Sequence, residues 1–303
     1  MQPEKSSDEE YLGSSGKRLG QPTDGASQAK KRMLSRGVHV ARRGGAQAKG
    51  PLQSLAVIAG ALVIWELVSL YMGRDRVGPA LIPPPSEVFA AAYQLTIDGT
   101  LVDQALVSSR RVLLGWGITA LVAIPLGIAM GRFRLVMQLA GPIVEALRPI
   151  PPIAWIPITI LLLGIGDTQN LSIIVIGAFF PLLLNTIHGV SHVDPVLVRA
   201  ARTLGASEWT ILRKVIWYNA LPSIFTGLRI SLGVAWMCLV AAELVGSIDG
   251  LGFMMNDARN FLRSDIVITG MATIGLVGTL MDRIILIAAS RLMPWIANPE
   301  GNE

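Results

Sequence analysis

Residues 112–130 read Val-Leu-Leu-Gly-Trp-Gly-Ile-Thr-Ala-Leu-Val-Ala-Ile-Pro-Leu-Gly-Ile-Ala-Met, nineteen positions without a charge. A helix needs about 20 predominantly apolar residues to cross the hydrocarbon of a bilayer. Only helices and closed barrels pair all their backbone amides there. The stretch therefore predicts a membrane-spanning helix, which Gly131-Arg132-Phe133-Arg134 closes. Composition agrees, with 51% hydrophobic and only 16% charged residues, against about 25% charged in ordinary soluble chains. The 31 glycines suit helices packed in lipid. A single cysteine, Cys238, excludes an intrachain disulfide.

Further spans are expected on either side. Leu52–Met72 carries Glu66 as its only charge and ends at Arg74-Asp75-Arg76. Pro83-Pro84-Pro85 then stops any helix, and Ser86 is placed to cap a short interfacial helix, Glu87–Leu95. Leu135–Gly166 is apolar except for Glu145 and Arg148, and is broken by Pro149, Pro151, Pro152 and Pro157. Leu171–Ile187, Pro222–Leu244 (holding Arg229 and Glu243) and Ile266 to about Arg291 (with Asp282-Arg283 near its end) complete the set. Counting the broken segment once gives about six transmembrane helices, an all-α integral membrane fold. The stretch His188–Leu221 then falls on the same side as the N-terminus. Its Arg199, Arg202, Arg213 and Lys214 favour the cytoplasm. Arg74, Arg76, Arg110, Arg111, Arg259 and Arg263 fall in the opposite loops.

The net charge of +5 lies wholly in residues 1–50, which hold 10 Lys/Arg and 5 Asp/Glu. That polar, Gly- and Ser-rich stretch reads as a disordered basic cytoplasmic tail. It is too long and too polar for a cleaved signal peptide. A topology signal accounts for its charge, with no need for a nucleic-acid partner. Residues 51–295 are expected to form the membrane domain and 296–303 a short C-terminal tail, with both termini cytoplasmic.

The stretch Asp194 to Trp209 carries the local instructions for a knob. Asp194 is placed to cap a helix whose first residue, Pro195, lacks a donor that position does not need. Gly205 suits a left-handed exit after Leu204. Ser207 caps a second helix, and Glu208 complements its positive end. Arg199-Ala200-Ala201 followed by Gly205 resembles the cytoplasmic signature of binding-protein-dependent ABC importer permeases, with Arg199 where that family has glutamate. Val215 takes the hydrophobic position, and Trp217-Tyr218 stands in place of Leu-Pro. The resemblance runs from about Leu52 to Trp295. It is closest to the taurine, alkanesulfonate and nitrate branch, through Leu81–Ser86, Glu145–Pro157 and Val240–Met254.

That resemblance implies a bacterial inner-membrane, multi-pass permease subunit of an importer, with no catalysis of its own expected: no Gly-x-x-x-x-Gly-Lys-Ser/Thr pattern occurs. ATP and Mg are expected on separate ATPase subunits, with no cofactor or metal in this chain. An extracytoplasmic substrate-binding protein, a second copy of the permease and membrane lipid are the other expected partners. Arg199, Ala200, Ala201, Leu204, Gly205, Ala206 and Ser207 are the expected ATPase-coupling loop. Glu145, Arg148, Pro151, Pro152, Trp155 and Glu243 are candidates for the pathway, Glu145 and Arg148 being placed to pair at i, i+3. Glu243 has a structural reading beside that one, because a carboxylate is an odd ligand for an anion. Arg229 is expected to reach toward the cytoplasmic end. His188 and His192, one turn apart, read as a polar helix end, and Gly250-Leu251-Gly252 as a turn. A secondary transporter complete in one chain would show an internal repeat; an integral membrane enzyme would gather His, Cys or carboxylates. Neither signal is found.

Deleting residues 1–36 while keeping Arg42, Arg43 and Lys49 is expected to leave insertion and uptake unchanged, as measured by substrate uptake in cells. Lost uptake with normal insertion would assign the tail a docking role.

Overall fold

The computed structural model describes residues 51–73 and 82–294, and the regular structure among them is helical. The tail at 1–50, Arg74-Asp75-Arg76 and the C-terminal tail lie outside the described residues. The chain divides into units of residues 1–59 and 60–303. Helix α1 (Pro51–Gly73) begins in the first; all that follows concerns the second.

After α1 come α2 (Pro85–Ile97), α3 (Thr100–Arg132) and α4 (Arg134–Leu147). A 3-10 turn, Pro152–Trp155, leads into α5 (Ile156–Leu163), followed by α6 (Asp167–Ser191). The knob holds α7 (Pro195–Thr203) and α8 (Glu208–Ile211). A π-helical turn, Leu212–Ile216, runs on into α9 (Trp217–Gly246), and α10 (Leu251–Asn260) and α11 (Ser264–Leu292) close the chain. Among the described residues, α3, α6, the run Glu208–Gly246 and α11 are the four helices long and apolar enough to cross a membrane. The two arms of the proline-broken segment are bent by 85°, and counted together as one span they make a fifth. At 1.5 Å per residue those arms reach only about 21 and 18 Å, so neither crosses about 30 Å of hydrocarbon alone. α1 contributes a shorter apolar stretch, Ala56–Tyr71.

Two local expectations are corrected. α3 starts at Thr100, so Arg110 and Arg111 lie inside a helix and not in a loop. Charge ends a hydropathy window, but it does not end a helix. α2 starts at Pro85, and Ser86 caps nothing. Ser86 lies within the first turn, where its amide (3.1 Å) and hydroxyl (2.8 Å) donate to the Glu66 carboxylate. The carboxylate thus meets the positive end of α2, which gives the lone charge of α1 a partner.

α6 runs between α3 and α9 and packs through glycine on both sides. A methyl group added to Gly115, Gly127 or Gly131 of α3 would lie 2.7–2.8 Å from Ile174, Thr186 or Val190 of α6. On the other side Gly177 and Gly189 of α6 face Cys238 and Ser223, and Gly227 of α9 faces Asn185. Lipid tails are as apolar as leucine, so helices in a bilayer associate by such close approach. Ile173, Ile174, Leu182, Leu183 and Leu239 are fully buried in the resulting core.

At the Asp167 end of this core Arg111 ties four segments. Its Nε donates to Asp167 at 2.7 Å, and its Nη1 to Glu243 at 3.0 Å and to the Asp249 carbonyl at 3.0 Å; Nη2 meets the Asp249 carboxylate. Glu243, 1% exposed, also accepts from the Ser108 hydroxyl at 2.9 Å and the Gly252 amide at 2.9 Å. That amide belongs to the first turn of α10, where helix donors lack internal partners. Gly250 sits at φ +102°, and a Cβ there would lie 2.2 Å from the Glu243 carboxylate. The Gly-x-Gly element therefore closes over Glu243 at a spacing only glycine allows.

Replacing Arg111 with Met is expected to cost about 3–5 kcal/mol, the usual effect of stripping one partner from a buried ion pair. Thermal unfolding in detergent would show it as a lowered midpoint. An unchanged midpoint would mean that Glu243 is satisfied without Arg111.

Candidate functional site

The knob at the Ser191 end folds as its sequence dictates. The Asp194 carboxylate accepts from the Val196 amide at 2.8 Å, and Pro195 opens α7. At the other end the Gly205 amide bonds the Arg202 carbonyl at 2.9 Å and the Ala206 amide bonds the Ala201 carbonyl at 3.0 Å. With Gly205 at φ +76°, these two bonds form the paired closure of a Schellman motif. Ser207 Oγ accepts from the Thr210 amide at 3.3 Å and caps α8. Glu208 accepts from Arg202 at 2.7 and 3.0 Å and also binds Arg132, which fixes the knob to the end of α3.

The seven expected coupling residues divide into two faces. Ala201 and Ala206 are half-buried against a cluster of Val190, Ile211, Ile216, Ala220 and Ile224. Arg199, Ala200, Leu204, Gly205 and Ser207 are exposed. Leu204 is 87% exposed, and Val196, Leu197 and Trp209 are also exposed beside it. Among the described residues Arg199 has no ion-pair partner, so a cation stands free on that face. These side chains form an exposed apolar patch on a locked end-piece.

The pathway candidates are spread more widely. Glu145 and Arg148 are both exposed, and no ion pair joins them. Arg148 is the C-cap of α4 with its backbone still helical, and an exposed i, i+3 pair gains too little to hold two long side chains together. Pro151 is exposed, Pro152 is half-buried, and Trp155 packs on Ile156, Ile173, Cys238 and Ala242. Glu243 is closed inside the protomer by Arg111, Ser108 and Gly252, which is its structural reading. His188 and His192 stack with centroids 4.0 Å apart, and no cluster of three metal-ligating groups occurs among the described residues.

Sequence reasoning missed the ion pairs of two arginines within the apolar helices. Arg111 pairs with carboxylates far along the chain. Arg229 does not reach for the helix end; it binds Asp282 of α11 through Nε at 2.8 Å and Nη2 at 2.9 Å. The one available signal was each charge's position in an otherwise apolar span.

Residues 123–294 match the family model of the binding-protein-dependent transport system inner membrane component. A putative ABC transporter permease protein of Methanocaldococcus jannaschii is 41% identical, over 80% of this chain and 91% of its own. The taurine transport system permease protein TauC of Escherichia coli is 38% identical, over 80% of this chain and 89% of its own. The nitrate import permease protein NrtB of Synechocystis is 32% identical, over 80% and 90%. Among solved structures, the inward-facing MetNI methionine ABC transporter aligns with a TM-score of 0.56 at 19% identity, over 66% of this chain and 98% of the matched one, a likeness of fold. The model match and these identities, on a bundle of membrane-crossing helices that ends in a capped knob, place the chain in the family of binding-protein-dependent transport system inner membrane components, as a permease subunit of an ABC importer.

Proposed function

We propose that the knob receives a separate cytoplasmic ATPase subunit and passes its movement to the helix bundle. The exposed Leu204, on a loop locked by the Gly205 turn and the Glu208 ion pairs, is the observation that carries this reading. Nucleotide and Mg belong to that partner in this reading, and the permease itself holds no cofactor. The knob end and both termini face the cytoplasm. An extracytoplasmic binding protein delivers substrate to the Asp167 end, and two copies of the chain enclose the route.

The substrate class that fits best is a small oxyanion. The names of the taurine and nitrate relatives support it; taurine or an alkanesulfonate comes first, with nitrate or bicarbonate as the alternative. Exposed Arg148, free of Glu145, leaves a positive charge at the bend of the broken segment.

Gly205→Val tests the coupling role. Nothing lies within 4 Å of a Cβ at this position, so the substitution clashes with no neighbour. A left-handed backbone still costs an L-residue about 1–2 kcal/mol, more when it is β-branched. The protein should reach the membrane, while uptake falls at least about tenfold, equivalent to about 1.4 kcal/mol in coupling. Normal ATPase stimulation by the loaded binding protein would refute the docking assignment. The substrate reading is checked by uptake of taurine and nitrate in proteoliposomes, where Arg148→Gln should slow anion entry. A binding protein selective for a cation or a sugar would overturn the oxyanion class.

A further inference from the structure

Arg229 and Asp282 form a two-bond ion pair whose side chains remain 43% and 36% exposed on the protomer surface. Their depth follows from the packing of α9 on α6. Gly227 lies against Leu182 and Asn185, which puts Arg229 near the level of Leu182. That level is about 13 Å from Ser191 and about 22 Å from Asp167, at 1.5 Å per residue. The pair is therefore inside the hydrocarbon layer. A charged group facing lipid there is costly, and such groups face protein or water.

The surroundings favour water. Thr226, Arg229, Gly233 and Met237 follow one another at helical spacing on α9, and all are exposed. Gly275 and Thr279 do so on α11, and half-buried Asp282 follows them at the same spacing. Additional methyl groups at Gly233 and Gly275 would meet nothing within 4 Å. The two threonine hydroxyls already donate to their own helices, to the Pro222 and Gly275 carbonyls. Arginine has five N–H donors. Asp282 accepts from Nε and Nη2, and the remaining donors have no acceptor among the described residues. In a bilayer such donors need water or a ligand. Arg283, next to Asp282, leaves the locality one positive charge in excess.

We infer that the Arg229–Asp282 pair lines the water-filled translocation route, and that Arg229 is a station for the passing oxyanion, with Asp282 as its resident competitor. The inference rests on the oxyanion reading above. A carboxylate and a sulfonate or nitrate offer the guanidinium fork the same paired oxygens. Asp282 holds the fork when the route is empty and reclaims it when the anion moves on. Binding thereby stays weak enough for release.

The test uses the full permease–ATPase complex in proteoliposomes with its binding protein. Gly233→Cys introduces a thiol one turn from Arg229, and native Cys238 is buried. A charged, water-soluble thiol reagent should label this variant at least about tenfold faster than wild type; absence of labelling overturns the route assignment. The double variant Arg229→Gln/Asp282→Asn keeps a hydrogen-bonded amide pair without charge. It should retain folding and binding-protein-stimulated ATPase activity while uptake of taurine or nitrate falls at least about tenfold; undiminished uptake overturns the station. Asp282→Asn alone should lower both KM and kcat for uptake, a split that a purely structural tie would not produce. A wild-type complex that imports neither anion overturns the oxyanion reading and the role of Arg229 with it, whereas labelling at position 233 reports on the water-lined face independently.

Discussion

The close approach of α6 to α3 and α9 is the constraint on which the rest of the structure depends. Solvent does not drive apolar helices together in lipid, so contact distance decides which pairs persist. Glycines at 115, 127 and 131 on α3, at 177 and 189 on α6, and at 227 on α9 bring backbones within reach of β-branched and small side chains. The fully buried isoleucines and leucines fill what remains. Three helices held this tightly give a fixed frame, and the polar features sit at its ends or on its outer face.

The two ends solve different problems with one chemistry. At the Asp167 end buried Arg111 meets buried Glu243 and the more exposed carboxylates of Asp167 and Asp249, and the first turn of α10 donates to Glu243. The pairing makes the burial of Glu243 tolerable, although a buried pair adds less stability than its contacts suggest. At the knob end the ion pairs of Glu208 are exposed and individually weak. Their value is geometric, because they fix the direction in which Leu204 and its apolar neighbours point.

What the sequence revealed depended on range. The knob was legible because its instructions are local: a cap at Asp194, a proline at 195, a glycine at 205 and a second cap at 207 lie within one short stretch. The proline break in the broken segment was equally visible; its angle was not, since an angle comes from the packing of both arms. Arg111 was misread because a charge marks the edge of an apolar window, whereas α3 continues for eleven residues before it. Its partners lie 56, 132 and 138 positions away. Arg229 and Asp282, 53 positions apart, are hidden for the same reason. Ser86 failed as a cap because the proline before it already occupies the first helical position.

The helix from Glu208 to Gly246 runs antiparallel to α3, and each of its ends carries a glutamate bound to an arginine of α3, Glu208 to Arg132 and Glu243 to Arg111. Those arginines stand about 31 Å apart at 1.5 Å per residue. One tie is exposed and the other is buried, so the two ends of the same helix pair are not held equally. In the proposed coupling the exposed tie at the knob is the one that can yield, and the buried pair at Glu243 is the fixed point about which α3 and α9 turn.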